Sequence, residues 1–314
     1  MTKKSFSFIE APIYQGQKHF GVSLGPSFIR QMLLDQNYDF QLLTAQARQS
    51  RIGVQEEIYE ELSYLTEREA RRNQLIFIAG GDHSLSIGSI QGLLRCYPNL
   101  KVLWIDAHGD INTPETSSTQ SFHGMPLSFL LGISNHYKNS DWFQLNLKPE
   151  NLIYFGLRDL DLAEKKFLDQ YKIQNFSAQE VRQKGIETIW KQIQNELQGC
   201  PVHISLDTDA FDPSIAPSTG VPVQAGLVYK DVEMLIQKVI QHSSVKSFEY
   251  VELNPQIFSQ PQDVFRTAQI GIDSFKIILQ KHKQQGVFDG FNDRHGYSEK
   301  PSLSDANFQL EKQT

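Results

Sequence analysis

The chain reads as an α/β protein built on a largely parallel sheet, and three observations carry that reading. Short apolar runs of strand length alternate along the sequence with amphipathic stretches of helical period. Three of the runs, LIFIAGGDH (75–83), KVLWIDAHGD (101–110) and VHISLDTD (202–209), end in histidines and aspartates. Ligands of parallel sheets gather just beyond the carboxyl ends of the strands. With 314 residues, 39% of them hydrophobic, the chain can bury one large α/β domain or two small ones.

Taken in order, the apolar runs predict strands over 6–11, 75–79, 101–106, 151–156, 202–207 and 247–252. The amphipathic stretches predict helices over 26–36, 54–73, 84–96, 125–132, 161–170, 178–184, 186–198, 229–242 and 261–282. Pro26 suits the first turn of its helix. Gly80-Gly81 lets the chain turn sharply before His83, and Asp82 or Ser84 can cap the helix that follows. Two long polar connections, 110–124 and 209–226, both begin at suspected ligands, and loops of that length inside a compact domain are more often functional than idle. No composition shift or internal repeat marks a boundary. Residues 1–285 therefore read as a single catalytic domain and 286–314, polar and aperiodic, as a surface tail.

Charge and cysteine content exclude several function classes. The net charge is −6 and no basic stripe is present, which argues against nucleic acid or an anionic membrane as partner. Arg68, Arg71 and Arg72 lie in a Glu-rich helical run and read as a solvated face. Cys96 and Cys200 are too few for a disulfide framework and lack metal-site spacing. The opening MTKKSFSFIEAP has no apolar stretch of signal-peptide length. No run approaches the ~20 apolar residues of a membrane span. A reducing cytoplasm is the expected location.

The candidate metal ligands are His83, Asp106, His108, Asp110, Asp207 and Asp209. Residues two apart on an extended segment point the same way, so Asp106, His108 and Asp110 can converge, as can Asp207 and Asp209. A single Asp at a strand end commonly caps the next helix; six such ligands on three strand ends point to metal. Carboxylates and imidazoles without cysteine suit a hard or borderline ion such as Mn²⁺. Six ligands exceed what one open catalytic ion needs. They suit two ions sharing bridging carboxylates at ~3.5–4 Å, which would activate water at neutral pH.

These residues resemble the ureohydrolases, and within them the arginase family. The blocks GVSLGPSFIR (21–30), GGDHSLSIGSI (80–90), WIDAHGDINTPET (104–116), FHGMPLSFLLG (122–132), YFGLRDLD (154–161), HISLDTDAFDPSIAPSTGVPV (203–223) and EYVELNP (249–255) carry the resemblance over nearly the whole chain. It implies a three-layer α/β/α sandwich around a largely parallel eight-stranded sheet, shared with the deacetylases. It implies two Mn²⁺ per chain on the six ligands above and a homo-oligomer, trimeric or hexameric. The implied reaction converts L-arginine and water to L-ornithine and urea, with hydroxide bridging the ions as nucleophile.

By the same resemblance, Asp110 helps stabilise the tetrahedral intermediate and His123 shuttles a proton, a task an imidazole can perform near neutral pH. Glu252 matches the acid that holds the guanidinium, a permanently charged planar cation that requires a fixed carboxylate. Glu249 competes for that role, but strand alternation turns it to the opposite side. Asn112, Thr119, Asp161 and Glu164 fall where the amino-acid end of the substrate is recognised.

Departures from the family pattern cluster near the substrate. Thr119-Gln120-Ser121 stands where many arginases read Ser-Gly-Asn, so the loop is expected to follow another path. Val221 stands where a threonine is common and removes a hydroxyl from the guanidinium pocket, worth roughly 0.5–1.5 kcal/mol. Arginine is the first substrate these observations select. The alternatives are another ureohydrolase acting on formimidoyl-glutamate, agmatine or guanidinobutyrate, a non-catalytic arginine-binding homologue, and an amide hydrolase of related fold.

Overall fold

The computed structural model describes residues 4–47 and 54–284; the polar tail 286–314 lies outside them. Eight strands form one sheet: β1 (Ser7–Ala11), β2 (Gln41–Thr44), β3 (Ile76–Gly80), β4 (Lys101–Ile105), β5 (Leu152–Leu157), β6 (Gln174–Ser177), β7 (Pro201–Asp207) and β8 (Ser244–Val251). Their order is β2-β1-β3-β8-β7-β4-β5-β6, and every pairing is parallel. The helices are α1 (Gly25–Asp35), α2 (Val54–Arg71), α3 (Ser86–Cys96), α4 (Pro126–Leu130), α5 (Leu162–Tyr171), α6 (Ala178–Lys184), α7 (Ile186–Leu197), α8 (Tyr229–His242) and α9 (Pro261–Gln284).

Alternation along the strands explains why the sheet carries helices on both faces. In β3, Ile76 and Ile78 join one buried core while Phe77 and Ala79 join the other. The Phe77 core also takes Ile29 and Leu33 of α1, Leu235 and Ile236 of α8, and Phe275 of α9. The Ile78 core takes Tyr59 and Leu62 of α2, Ile87 and Ile90 of α3, and Leu127 of α4. Each large apolar side chain withdrawn from water contributes about 1.5–3 kcal/mol. Helices form where the apolar spacing is three or four: in α7 the buried residues are Ile186, Ile189, Trp190, Ile193 and Leu197. The expected α/β/α sandwich with a parallel eight-stranded sheet is the observed fold.

Two strands escaped the sequence reading. β2 (QLLT) and β6 (QNFS) are the two outermost strands, four residues long and only partly buried, so neither presents a continuous apolar run. Among the described residues, no helix is long and apolar enough to cross a membrane. The fold's main consequence for function is adjacency. β3, β8, β7 and β4 are consecutive neighbours at the sheet centre, so their carboxyl ends open onto one place.

Candidate metal centre and substrate cleft

All six ligand candidates converge at those strand ends. His83 opens a 3₁₀ turn three residues beyond β3, with Asp82 at its N-cap accepting from Ser84 N–H at 3.0 Å. Neither Gly80 nor Gly81 takes a positive φ. Gly81 is needed for space, because a Cβ there would lie 1.8 Å from the Ile13 carbonyl oxygen. Asp106 directly follows β4, and its carboxylate accepts from His108 N–H at 2.7 Å and from the Trp104 indole at 3.0 Å. Asp207 closes β7 and accepts from Asp209 N–H at 2.8 Å. Asp110 adopts φ 49°, a left-handed conformation uncommon outside glycine.

The cluster has two lobes sharing one acid. His83 Nδ1 lies 3.0 Å from Asp106, 3.1 Å from Asp110 and 3.1 Å from Asp207. His108 Nδ1 lies 3.5 Å from the other Asp106 oxygen and 3.2 Å from Asp209. His83 with Asp106 and Asp110, and Asp106 with His108 and Asp209, are each compact enough to hold an ion. His83 Nδ1 is buried and has no hydrogen-bond partner despite the three carboxylates around it, as expected of a nitrogen whose lone pair is meant for a metal.

The far side of that imidazole fixes its tautomer. His83 Nε2 meets Ser205 Oγ at 2.8 Å, and Ser205 donates to the buried Glu249 at 2.9 Å. A serine that gives its proton to a carboxylate can only accept from the ring, so Nε2 carries the hydrogen and Nδ1 is the free ligand atom of the neutral ring. Without a cation, and against its burial, Asp106, Asp110 and Asp207 raise the imidazole well above its ordinary value. Glu249 also accepts from Ser86 and Ser89. It supports the ligand from behind and does not reach the cleft, as strand alternation implied.

Electrostatics point the same way. Burial pushes Asp207 well above the carboxylate range and Asp110 up to about 7, with repulsion between the acids adding to both. Burial also raises Asp209, against the pull of His108. Asp106 resists burial because His108 and His83 flank it, and it is held well below its ordinary value. Four carboxylates with two imidazoles leave an excess of buried negative charge that divalent cations would neutralise. The donor set therefore fits hard or borderline cations.

Beside the cluster opens a cleft of about 430 Å³. Glu252 follows β8 with φ 63° and is 3% exposed. Its carboxylate accepts from His83 N–H at 2.9 Å, meets His123 Nδ1 at 3.2 Å, and accepts from the Gln17 amide. Burial disfavours a charged imidazole at His123, but the bond and charge of Glu252 outweigh it and push the ring up to about 9. Glu252 is correspondingly lowered against its own burial.

The nominated rim residues line the cleft with their polar groups already engaged. Asn112 donates to Asp161 at 2.8 Å and accepts from Thr116 at 2.9 Å. Asp161 and Glu164 form the capping box of α5; Glu164 is buried and its carboxyl is pushed up to about 7. Thr119 pairs with Ser117 at 3.5 Å, and Val221 is 38% exposed at the mouth. Gln120 takes φ 58°, the conformation a glycine would favour, and donates to the Pro114 and Ser117 carbonyls at 2.7 and 2.8 Å. Its side chain thus supports the left-handed turn.

Gln17, Lys18, His19 and Asp159 also line the cleft and went unnominated. The signal was positional, since the segment 12–19 leaves the carboxyl end of β1 on the same side of the sheet. Arg158 was missed as well. It donates to the carbonyls of Gly156, Asp209, Ala210, Phe211, Val223 and Gln224. It thereby ties the long 209–226 connection to β5 and sets Val221 at the rim.

The sequence model of the arginase family matches residues 4–274. The chain belongs to the arginase family. Its similarity to the arginase-2 of Mus musculus is 33% identity over 298 residues, covering 86% of this chain and 83% of that one. The crystal structure of arginase from Bacillus subtilis aligns with a TM-score of 0.77 and 31% identity, covering 85% of this chain and 96% of that one. An arginase from Entamoeba histolytica solved with L-ornithine aligns with a TM-score of 0.76 and 27% identity, covering 86% and 97%. Within this family the chain is a ureohydrolase-type hydrolase.

Proposed function

We propose that this arginase-family chain hydrolyses the guanidinium group of L-arginine to L-ornithine and urea, with residues 1–285 as the catalytic unit. The observation that carries the reading is the Glu252–His123 pair, a buried carboxylate and an imidazole 3.2 Å apart, facing the same cleft as the six-ligand cluster. The structure of a relative solved with L-ornithine adds support, because ornithine is the product this reading requires.

His83, Asp106, Asp110 and Asp207 would hold one Mn²⁺, and Asp106, His108 and Asp209 a second. When bound, such a pair of cations acidifies water and stabilises developing negative charge. Glu252 holds the planar cation and aims its carbon at the cluster. Water gives up a proton as it adds to that carbon, the bond to the side-chain nitrogen breaks, and His123 passes that proton to the departing amine. Asp161 and Asn112 receive the amino-acid end of the substrate, Asp161 accepting from the α-ammonium, with Thr119 and Glu164 beside them. The mature form would be a homo-oligomer.

The test is release of urea and ornithine after Mn²⁺ loading, with L-arginine, agmatine, guanidinobutyrate and formimidoyl-glutamate assayed side by side and Asp110→Asn as control. L-arginine should be the fastest of the four. Preference for another compound would move the assignment within the ureohydrolases. No turnover of any, with two ions bound, would make the chain a binding homologue.

A further inference from the structure

A side chain outside the cleft restrains the least usual backbone in the cluster. Asp110 has φ 49°, a conformation that costs a non-glycine residue free energy and persists only where its surroundings over-determine it. Two bonds do so. The Asp110 carbonyl oxygen accepts from Leu127 N–H at 3.0 Å, and the preceding carbonyl, that of Gly109, accepts from the Tyr154 hydroxyl at 2.6 Å. The peptide planes on both sides of Asp110 are thereby pinned. Among the described residues no backbone N–H donates to the Gly109 carbonyl, so that restraint rests on Tyr154.

Tyr154 is buried in β5 and stands opposite Trp104 of β4 in the parallel register. The two rings share one core, and each gives its polar tip to the strand-end loop. The Trp104 indole holds the Asp106 carboxylate at 3.0 Å, while the Tyr154 hydroxyl holds the peptide that leads into Asp110. Gly109 is buried, so without that hydroxyl its carbonyl would lack a donor. A peptide is one rigid plane, and turning it towards another partner changes the φ of Asp110 with it. Asp110 belongs to the lobe with His83 and Asp106. The other lobe has its own restraints, since His108 N–H donates to Asp106 and Asp209 N–H to Asp207.

Resting on the reading of the six ligands as a two-ion centre, we propose that Tyr154 is a positioning residue. Its hydroxyl, through the Gly109 carbonyl, holds Asp110 in the left-handed conformation that delivers its carboxylate to the ion site of His83, and it leaves the His108 site untouched.

Tyr154→Phe keeps the ring and removes the hydroxyl. Mn²⁺ binding would be measured by titration calorimetry in two backgrounds: His108→Ala leaves the lobe that contains Asp110, and His83→Ala leaves the lobe that does not. Tyr154→Phe should raise the Mn²⁺ Kd by about 10–100-fold in the first background, the usual effect of losing a group that orients a ligand, and by less than about threefold in the second. No change in either background overturns the proposal. An equal change in both also overturns it, because a general loosening of the fold would not choose between lobes. If a double variant does not fold, the two-step isotherm of Tyr154→Phe alone decides. One step displaced supports the proposal; both displaced alike, or neither, overturns it. Wild type that takes up no Mn²⁺ overturns the proposal together with the two-ion reading. Selective weakening in a protein that binds two ions but releases no urea keeps the proposal and removes the hydrolytic reading.

Discussion

At the carboxyl ends of β4 and β7, interior backbone donors hold the ligands: Asp106 takes the His108 N–H, and Asp207 takes the Asp209 N–H. At the rim, Thr119, Ser117 and Ser121 are partly or fully exposed and bond mainly to one another. The first region sits on four central strands between two helix layers. The second sits on connections whose order depends on a few struts such as Arg158 and Gln120. Moving a strand-end ligand strands buried charge, whereas a rim substitution changes one solvent-accessible contact. On the proposed function, the chemistry would be stiff and the substrate choice adjustable on one scaffold.

Substitutions at the strand ends should cost most. Asp106 is shared by both lobes, so Asp106→Asn should reduce bound Mn²⁺ below two per chain and lower kcat by roughly a thousandfold or more, read by elemental analysis and urea release. His123→Asn should leave metal content intact and lower kcat by about 10²–10⁴-fold, the usual worth of a proton-transfer group. The same variant carries a pH signature. The His123 imidazole is raised to about 9 in the folded chain despite burial. Its contribution to stability is thus complete below its ordinary value near 6.5 and lost as pH rises through about 9. Melting curves of metal-free wild type and His123→Asn should converge above that pH.

Ser205→Ala tests the support behind the cluster. It removes the acceptor that fixes the His83 tautomer and should weaken Mn²⁺ binding by about 10–100-fold, measured by titration calorimetry, with the fold retained. At the rim, Asp161→Ala should raise KM for L-arginine by roughly tenfold and for guanidinobutyrate far less, because guanidinobutyrate has no α-ammonium for Asp161 to accept from. Equal effects on the two would remove the amino-acid site from this position. Val221→Thr should have the smallest effect, a change in KM for L-arginine below about tenfold. A larger effect would mean that the two regions are not separable.

Legibility in the sequence followed the same division. The clustering of histidines and aspartates at the ends of apolar central strands was legible because position in a parallel sheet and residue chemistry both pointed to it. Glu252 became distinguishable from Glu249 through strand alternation, and the structure places Glu249 behind His83. The edge strands β2 and β6 were hidden because short, half-exposed QLLT and QNFS carry no apolar run. Gln17 was hidden for a different reason. An amide acquires meaning only from its partner, and Glu252 lies 235 residues away in sequence. Gln120 shows the limit of conformational expectation, since the absence of glycine did not prevent a left-handed turn once the side chain could bond its own loop.

The central claim is that Asp106 joins two ion sites into one hydrolytic centre, and metal counting tests it most directly. After equilibration with Mn²⁺ and desalting, wild type should retain two ions per chain. His83→Ala and His108→Ala should each retain fewer, with loss of urea release from L-arginine. A wild-type stoichiometry of one ion per chain, with full activity, would contradict the account.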